Sequence, residues 1–265
     1  MQTPVPSPTQ SAALRVVLLG ASNLRLGFPK ALSCLRRLTG EPLEVLGAFG
    51  HGRSYGAWSR VLWVRWLPGI TQCGLWQEIE RRQPLPTLAL VTDIGNDLVY
   101  GEMPETIAGW VGTCLDRLER QGAEIVLTRL PIENLEFLSP LGYYVTRSIL
   151  FPGRGVSRSA LLERARDLDG RLREMGLARG ARLVLPETSW YGIDPVHVRR
   201  GKRHEAWECV FSSWLESRPA REPQPQVRWR DLRGVRAAEL RLLGKTIHTP
   251  QPAGRFDDGT TVALY

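Results

Sequence analysis

Residues 14–23 read Leu14-Arg15-Val16-Val17-Leu18-Leu19-Gly20-Ala21-Ser22-Asn23. A nearly unbroken apolar run ends in a glycine and a pair of small polar residues. A strand with no polar alternation is covered on both faces, which is the signature of a parallel sheet flanked by helices. The same grammar repeats down the chain. Apolar runs at 43–49, 87–94, 123–130 and 181–185 each end in turn-forming residues. Amphipathic stretches at 29–38, 70–82, 104–121, 159–175 and 199–215 fall between and after them. Proline at 29 and at 104 suits the first turn of a helix. Five β/α units imply a doubly wound parallel sheet of flavodoxin type, with right-handed crossovers and strand order 2-1-3-4-5. Ligands in such sheets bind beyond the carboxyl ends of the strands.

Composition narrows the class. The 265 residues are 43% hydrophobic and 23% charged, an ordinary globular balance. No apolar run reaches the ~18 residues of a membrane span. Residues 1–12 lack a signal-peptide pattern and read as a disordered arm, which makes the cytoplasm the expected location. Residues 13–217 form the expected main domain. Residues 218–265 open with a Pro-rich linker and close with short strand-like segments, expected to form a small C-terminal β appendage. Four scattered cysteines, Cys34, Cys73, Cys114 and Cys209, make no CxxC pair and read as buried thiols. The net charge of +8 comes mostly from arginines spread through every helix, without a nucleic-acid motif, so no nucleic-acid partner is expected. The oligomeric state is not legible.

Chemistry-bearing residues gather after the strands. Ser22 and Asn23 follow the first, Gly50-His51-Gly52-Arg53-Ser54 the second, and Gly95-Asn96-Asp97 the third. Asp194-Pro195-Val196-His197 follows the fifth. An Asp three residues before a His can turn back and fix its tautomer. An asparagine amide is a neutral donor suited to an oxyanion. Each motif alone could be a plain turn, but all of them lie on one sheet edge.

The set GASN, GHGRSYG, IGNDL and DPVHV resembles the SGNH (GDSL-like) hydrolases, over roughly residues 14–217. The resemblance implies Ser22 as nucleophile, His197 as base and Asp194 as its orienting carboxylate. It also implies an oxyanion hole from Ser22, Gly52 and Asn96, with Gly50 a competing choice for the glycine. Ala21 departs from the family, which usually has Asp there. The expected activity is hydrolysis of a small-molecule carboxylic ester or thioester through an acyl-enzyme, without cofactor or metal. The alternatives are an acyltransferase on the same machinery and a non-catalytic SGNH-like binding protein. His51 is either a substrate contact or a turn residue, and Asp93 and Asp97 read as loop structure. The 131–158 connection, rich in apolar and aromatic residues, reads as a substrate wall, with Tyr143 and Tyr144 as candidate contacts. The tryptophan-rich stretch 58–76 reads as a wall of core and pocket, or as a surface for weak lipid contact.

Overall fold

A computed structural model describes residues 12–38, 42–61, 65–137, 157–192, 194–218 and 225–265. Five parallel strands form its centre: β1 (Leu14–Leu19), β2 (Leu43–Ala48), β5 (Thr87–Val91), β6 (Glu124–Thr128) and β7 (Arg182–Val184). Their spatial order is β2-β1-β5-β6-β7, the expected 2-1-3-4-5. In β1 the side chains alternate between two cores. Val16 and Leu18 pack on one face, and Val17 and Leu19 on the other. This two-sided burial is why the run carries no polar alternation.

Helices cover both faces. On the first face lies α1 (Ser22–Leu35), against α7 (Arg203–Val210) and the short α8 (Ser212–Glu216) that continues it after Phe211. The second face carries α2 (Leu75–Arg81), α4 (Pro104–Glu119) and α6 (Arg158–Ala178). Two shorter helices, α3 (Asn96–Val99) and α5 (Ile132–Phe137), follow β5 and β6 at their carboxyl ends. Among the described residues no helix is long and apolar enough to cross a membrane.

Two boundaries depart from expectation. Helix α1 starts at Ser22, so Pro29 lies inside it instead of in its first turn. The start is fixed earlier because the Asp93 carboxylate accepts the N–H groups of Ala21 and Leu24, supplying donors of the first turn with an acceptor. The expected helix at 70–82 is a 3-10 turn, Ile70–Gln72, followed by α2.

The C-terminal stretch is β, and it is shared between two sheets. β11 (Thr261–Leu264) runs parallel beside β2, and β10 (Gly254–Arg255) pairs antiparallel with β11. Together they widen the central sheet to seven strands and cover the free edge of β2. β8 (Glu239–Leu242) and β9 (Lys245–His248) form a hairpin that joins β3 (Ser59–Val61) and β4 (Arg65–Leu67) in a four-stranded antiparallel sheet. The tryptophan-rich stretch is therefore divided. Trp76 is buried in the core and donates from Nε1 to the Ile70 carbonyl. Trp66 belongs to β4 of the small sheet, and Trp58 just precedes β3, with the Arg241 guanidinium 4.0 Å over the Trp58 ring.

Candidate functional site

The loops after β1, β2 and β5 and the 194–198 turn meet at the carboxyl edge of the sheet. Ser22 opens α1 and is 6% exposed. Its hydroxyl donates to His197 Nε2 at 2.9 Å, and His197 Nδ1 lies 2.7 Å from Asp194 Oδ2. The other carboxylate oxygen, Asp194 Oδ1, accepts the N–H groups of Val196 at 2.9 Å and His197 at 3.2 Å. A three-residue turn thus locks the acid against its own histidine, with the imidazole proton on Nδ1 and a free lone pair toward serine.

Electrostatics follow from these contacts. Burial works to raise the Asp194 carboxyl, but the hydrogen bonds from His197 and Val196 outweigh it and hold it below the usual carboxylate value. Burial likewise opposes protonation of His197. The hydrogen bond and charge of Asp194, with the charge of Asp93, prevail and raise it above 6.5.

Asp93 is the residue sequence reasoning undervalued. Its Oδ2 accepts Ala21 N and Leu24 N, each at 3.0 Å, and its Oδ1 accepts Asn23 Nδ2 at 2.9 Å. It does so from a left-handed backbone, φ +58°. Where the resembled family places a carboxylate at position 21, this chain has Ala21 and brings a carboxylate to the same turn from the end of β5. Asn23 then ties the serine turn to the histidine turn. Its Nδ2 donates to the Val196 carbonyl (2.9 Å) and its Oδ1 accepts Val198 N (2.8 Å). The sequence signal was available: two acids, Asp93 and Asp97, flank the Gly95-Asn96 pair.

Asn96 opens α3 and is 9% exposed, and its Nδ2 has no hydrogen-bond partner among the described residues. A buried donor without a partner costs about 1–3 kcal/mol, so an acceptor supplied by a ligand is favoured there. Gly52 takes φ +59°, a backbone glycine adopts without strain. Its carbonyl accepts from Tyr100 Oη at 2.6 Å, and Asp97 Oδ2 accepts Tyr55 N at 2.9 Å, which fastens this loop to α3. Burial pushes the Asp97 carboxyl up to about 6 against the hydrogen bonds from Ser54 and Tyr55. Asp97 is thus loop structure, as expected, and Asp93 is loop structure at the serine itself.

A cavity of about 150 Å3 opens beside Ser22 and Asn96. Its walls are chiefly aliphatic and aromatic, with Leu98, Leu130 and Leu135 on one side and Trp190, Trp207 and Val210 on the other. Gly52 and His51 stand on the neighbouring loop and are not part of these walls. Tyr143 and Tyr144, with most of the 131–158 connection, lie outside the described residues.

Away from this edge, Cys34, His204 and Glu208 lie within 4.8 Å of one another, a possible ligand set for a metal. Arg37 already pairs with Glu208 at 2.6 Å. Burial holds the Cys34 thiol up at about 11. A guanidinium on the carboxylate and a protonated thiol both oppose a metal cation, so these residues fit one poorly.

No protein-family model and no curated protein matches the chain. Solved structures do. Est24, a carbohydrate acetylesterase from Sinorhizobium meliloti, superposes with a TM-score of 0.53 at 14% identity, covering 77% of this chain and 99% of that one. Looser likenesses are the psychrotrophic esterase EstA from Pseudoalteromonas sp. and AlinE4, an SGNH-hydrolase family esterase. EstA has a TM-score of 0.47 at 11% identity and covers 76% of this chain and 98% of its own. AlinE4 has 0.40 at 18% and covers 79% and 100%. The chain shares the α/β fold of Est24. At these identities the likeness is one of fold, and the chemistry has to be argued from the site.

Proposed function

We propose that the protein is a serine hydrolase of carboxylic esters or thioesters, with Ser22 as nucleophile, His197 as general base and Asp194 as the residue that orients the histidine. The hydrogen-bonded line from Ser22 Oγ through His197 to Asp194 carries this reading. It ends at a hydroxyl facing an apolar cavity, beside an amide donor that lacks a partner among the described residues.

In this mechanism His197 Nε2 takes the Ser22 proton as Oγ attacks the acyl carbonyl carbon. The carbonyl oxygen becomes an oxyanion, which accepts hydrogen bonds from the N–H groups of Ser22 and Gly52 and from Asn96 Nδ2. As the intermediate collapses, His197 returns the proton to the leaving alcohol or thiol, and the acyl group stays on Oγ. Water then attacks the acyl-enzyme, giving its proton to His197, and the carboxylic acid departs with Ser22 restored. Every proton moves between protein groups, substrate and water, so no cofactor enters. The apolar walls favour an acyl group with hydrocarbon character over a charged or sugar-like one.

Fluorophosphonate labelling tests the assignment directly. Wild-type protein is expected to form a covalent adduct and Ser22→Ala none. An unlabelled wild type, or a labelled Ser22→Ala, overturns it. A chain-length series of p-nitrophenyl esters then ranks acyl groups; the apolar cavity predicts higher kcat/KM for hydrocarbon acyl groups than for acetate.

A further inference from the structure

We propose that the β8–β9 hairpin is a docking element for an anionic lipid surface. The tip is a two-residue turn: Leu242 pairs with Lys245, leaving Leu243 and Gly244 between them. Both have positive φ, +49° and +79°, which makes the turn type I′. Asn-Gly or Gly-Gly is the usual choice here, because a branched apolar side chain is disfavoured in left-handed backbone. Leucine gains nothing locally in return, since Leu243 is 74% exposed, the most exposed large hydrophobic among the described residues. An apolar side chain held in unfavourable backbone and presented to water points to a second environment.

The neighbours agree. Leu240, Leu242 and Ile247 share one face of the hairpin, as its register requires. Leu240 packs toward the core, while Leu242 (37%) and Ile247 (36%) stay exposed. The outer strand β9 is exposed along its whole length. Two cations lie on the hairpin itself, Arg241 on β8 and Lys245 beside the tip. Lys245 makes no ion pair among the described residues, and Arg241 is shared between Trp58 and Glu239. The hairpin and the segment that leads into it, residues 226–248, carry six Arg and Lys against two acidic residues. That balance places half of the chain's +8 in this one segment. Apolar side chains framed by basic ones suit a bilayer bearing negative headgroups, and a purely apolar partner would leave those charges unmatched.

Position gives the contact a use. The hairpin enters after Ala237, which bridges to Leu264 at the end of β11, and leaves through Thr249, whose N–H donates to Ala238. β8 pairs with β4, which follows the loop carrying Gly52. The hairpin is therefore rooted at the carboxyl edge of the central sheet, the edge that carries Ser22.

Co-sedimentation of the full chain with phosphatidylglycerol vesicles and with phosphatidylcholine vesicles, at low and high salt, tests this. Wild type is expected to bind the anionic vesicles, more weakly as salt rises, and to bind the zwitterionic ones far less. Leu243→Asn installs Asn-Gly, the preferred turn, so it keeps the fold while removing the apolar tip. It should weaken vesicle binding about tenfold or more, the worth of burying one leucine. Lys245→Glu should remove part of the salt-sensitive attraction. Ser22→Ala should bind as wild type, so the result does not depend on the hydrolase reading. Absence of wild-type binding overturns the proposal, as does Leu243→Asn binding equal to wild type. A self-associating hairpin, seen as a dimer that Leu243→Asn dissociates without any vesicle binding, overturns it too.

Discussion

Two non-glycine residues hold a left-handed backbone among the described residues, Asp93 and Leu243. Each costs roughly 1–2 kcal/mol relative to an ordinary conformation, somewhat less for Asp, whose short polar side chain tolerates the region. At Asp93 the return is visible. The turn aims both carboxylate oxygens at the serine loop, where they accept three hydrogen bonds. At Leu243 no contact among the described residues offsets the cost. The contrast separates strain that a fold uses to position its own groups from strain at an exposed side chain, which the proposed lipid contact would offset.

The site end of this comparison should show the largest effects. Asn96→Ala should lower kcat toward a soluble ester by about 10²–10³, the worth of an oxyanion donor; a rate like wild type removes Asn96 from the mechanism. Asp93→Gly is the sharper experiment. It relaxes the backbone and deletes only the carboxylate, so turnover should fall by about 10² through misplacement of Ser22. If Asp93→Gly retains full activity, the hydrogen bonds at the serine turn are incidental.

The pH profile examines the same turn without mutation. The mechanism needs neutral His197, and its pKa is raised by Asp194 and Asp93. The kcat/KM should therefore fall with acidification, approaching tenfold per pH unit, through an apparent pKa above 6.5. In Asp93→Gly that apparent pKa should move down, because one of the charges that raise it is gone. An unmoved acid limb would break the link between Asp93 and the histidine.

The smallest effect belongs to the hairpin. Leu243→Asn should raise the melting temperature by about 2–4 °C, following the relief of roughly 1 kcal/mol in a chain of this size. Its kcat toward a soluble ester should equal that of wild type. A lowered melting temperature would mean that Leu243 packs internally after all, and the contrast with Asp93 would collapse.

The sequence carried the central sheet well, because five unbroken apolar runs have few alternative uses. It carried the Asp194–His197 pair for a related reason: the contact closes within three residues, and local turns leave local marks. What was hidden depends on distant partners. Asp93 meets Leu24 across 69 positions, and the acids flanking Gly95-Asn96 mark the loop without naming that partner. The start of α1 was misplaced on account of Pro29, whose preference for a first turn is real but was overridden by that same carboxylate. The C-terminal strands were legible as β. Their partners were not, since pairing of β11 with β2 depends on an edge left open by the rest of the fold.

Asn23 has a kinetic meaning as well as a geometric one. Its side chain joins three segments, meeting Asp93 70 positions away, Val196 173 away and Val198 175 away. Contacts of such long sequence separation close large loops and form late, after the local and neighbouring pieces have docked. Ser22 and His197 can therefore be brought to bonding distance only in a chain that has almost finished folding, and partly folded or nascent forms should be inert toward esters.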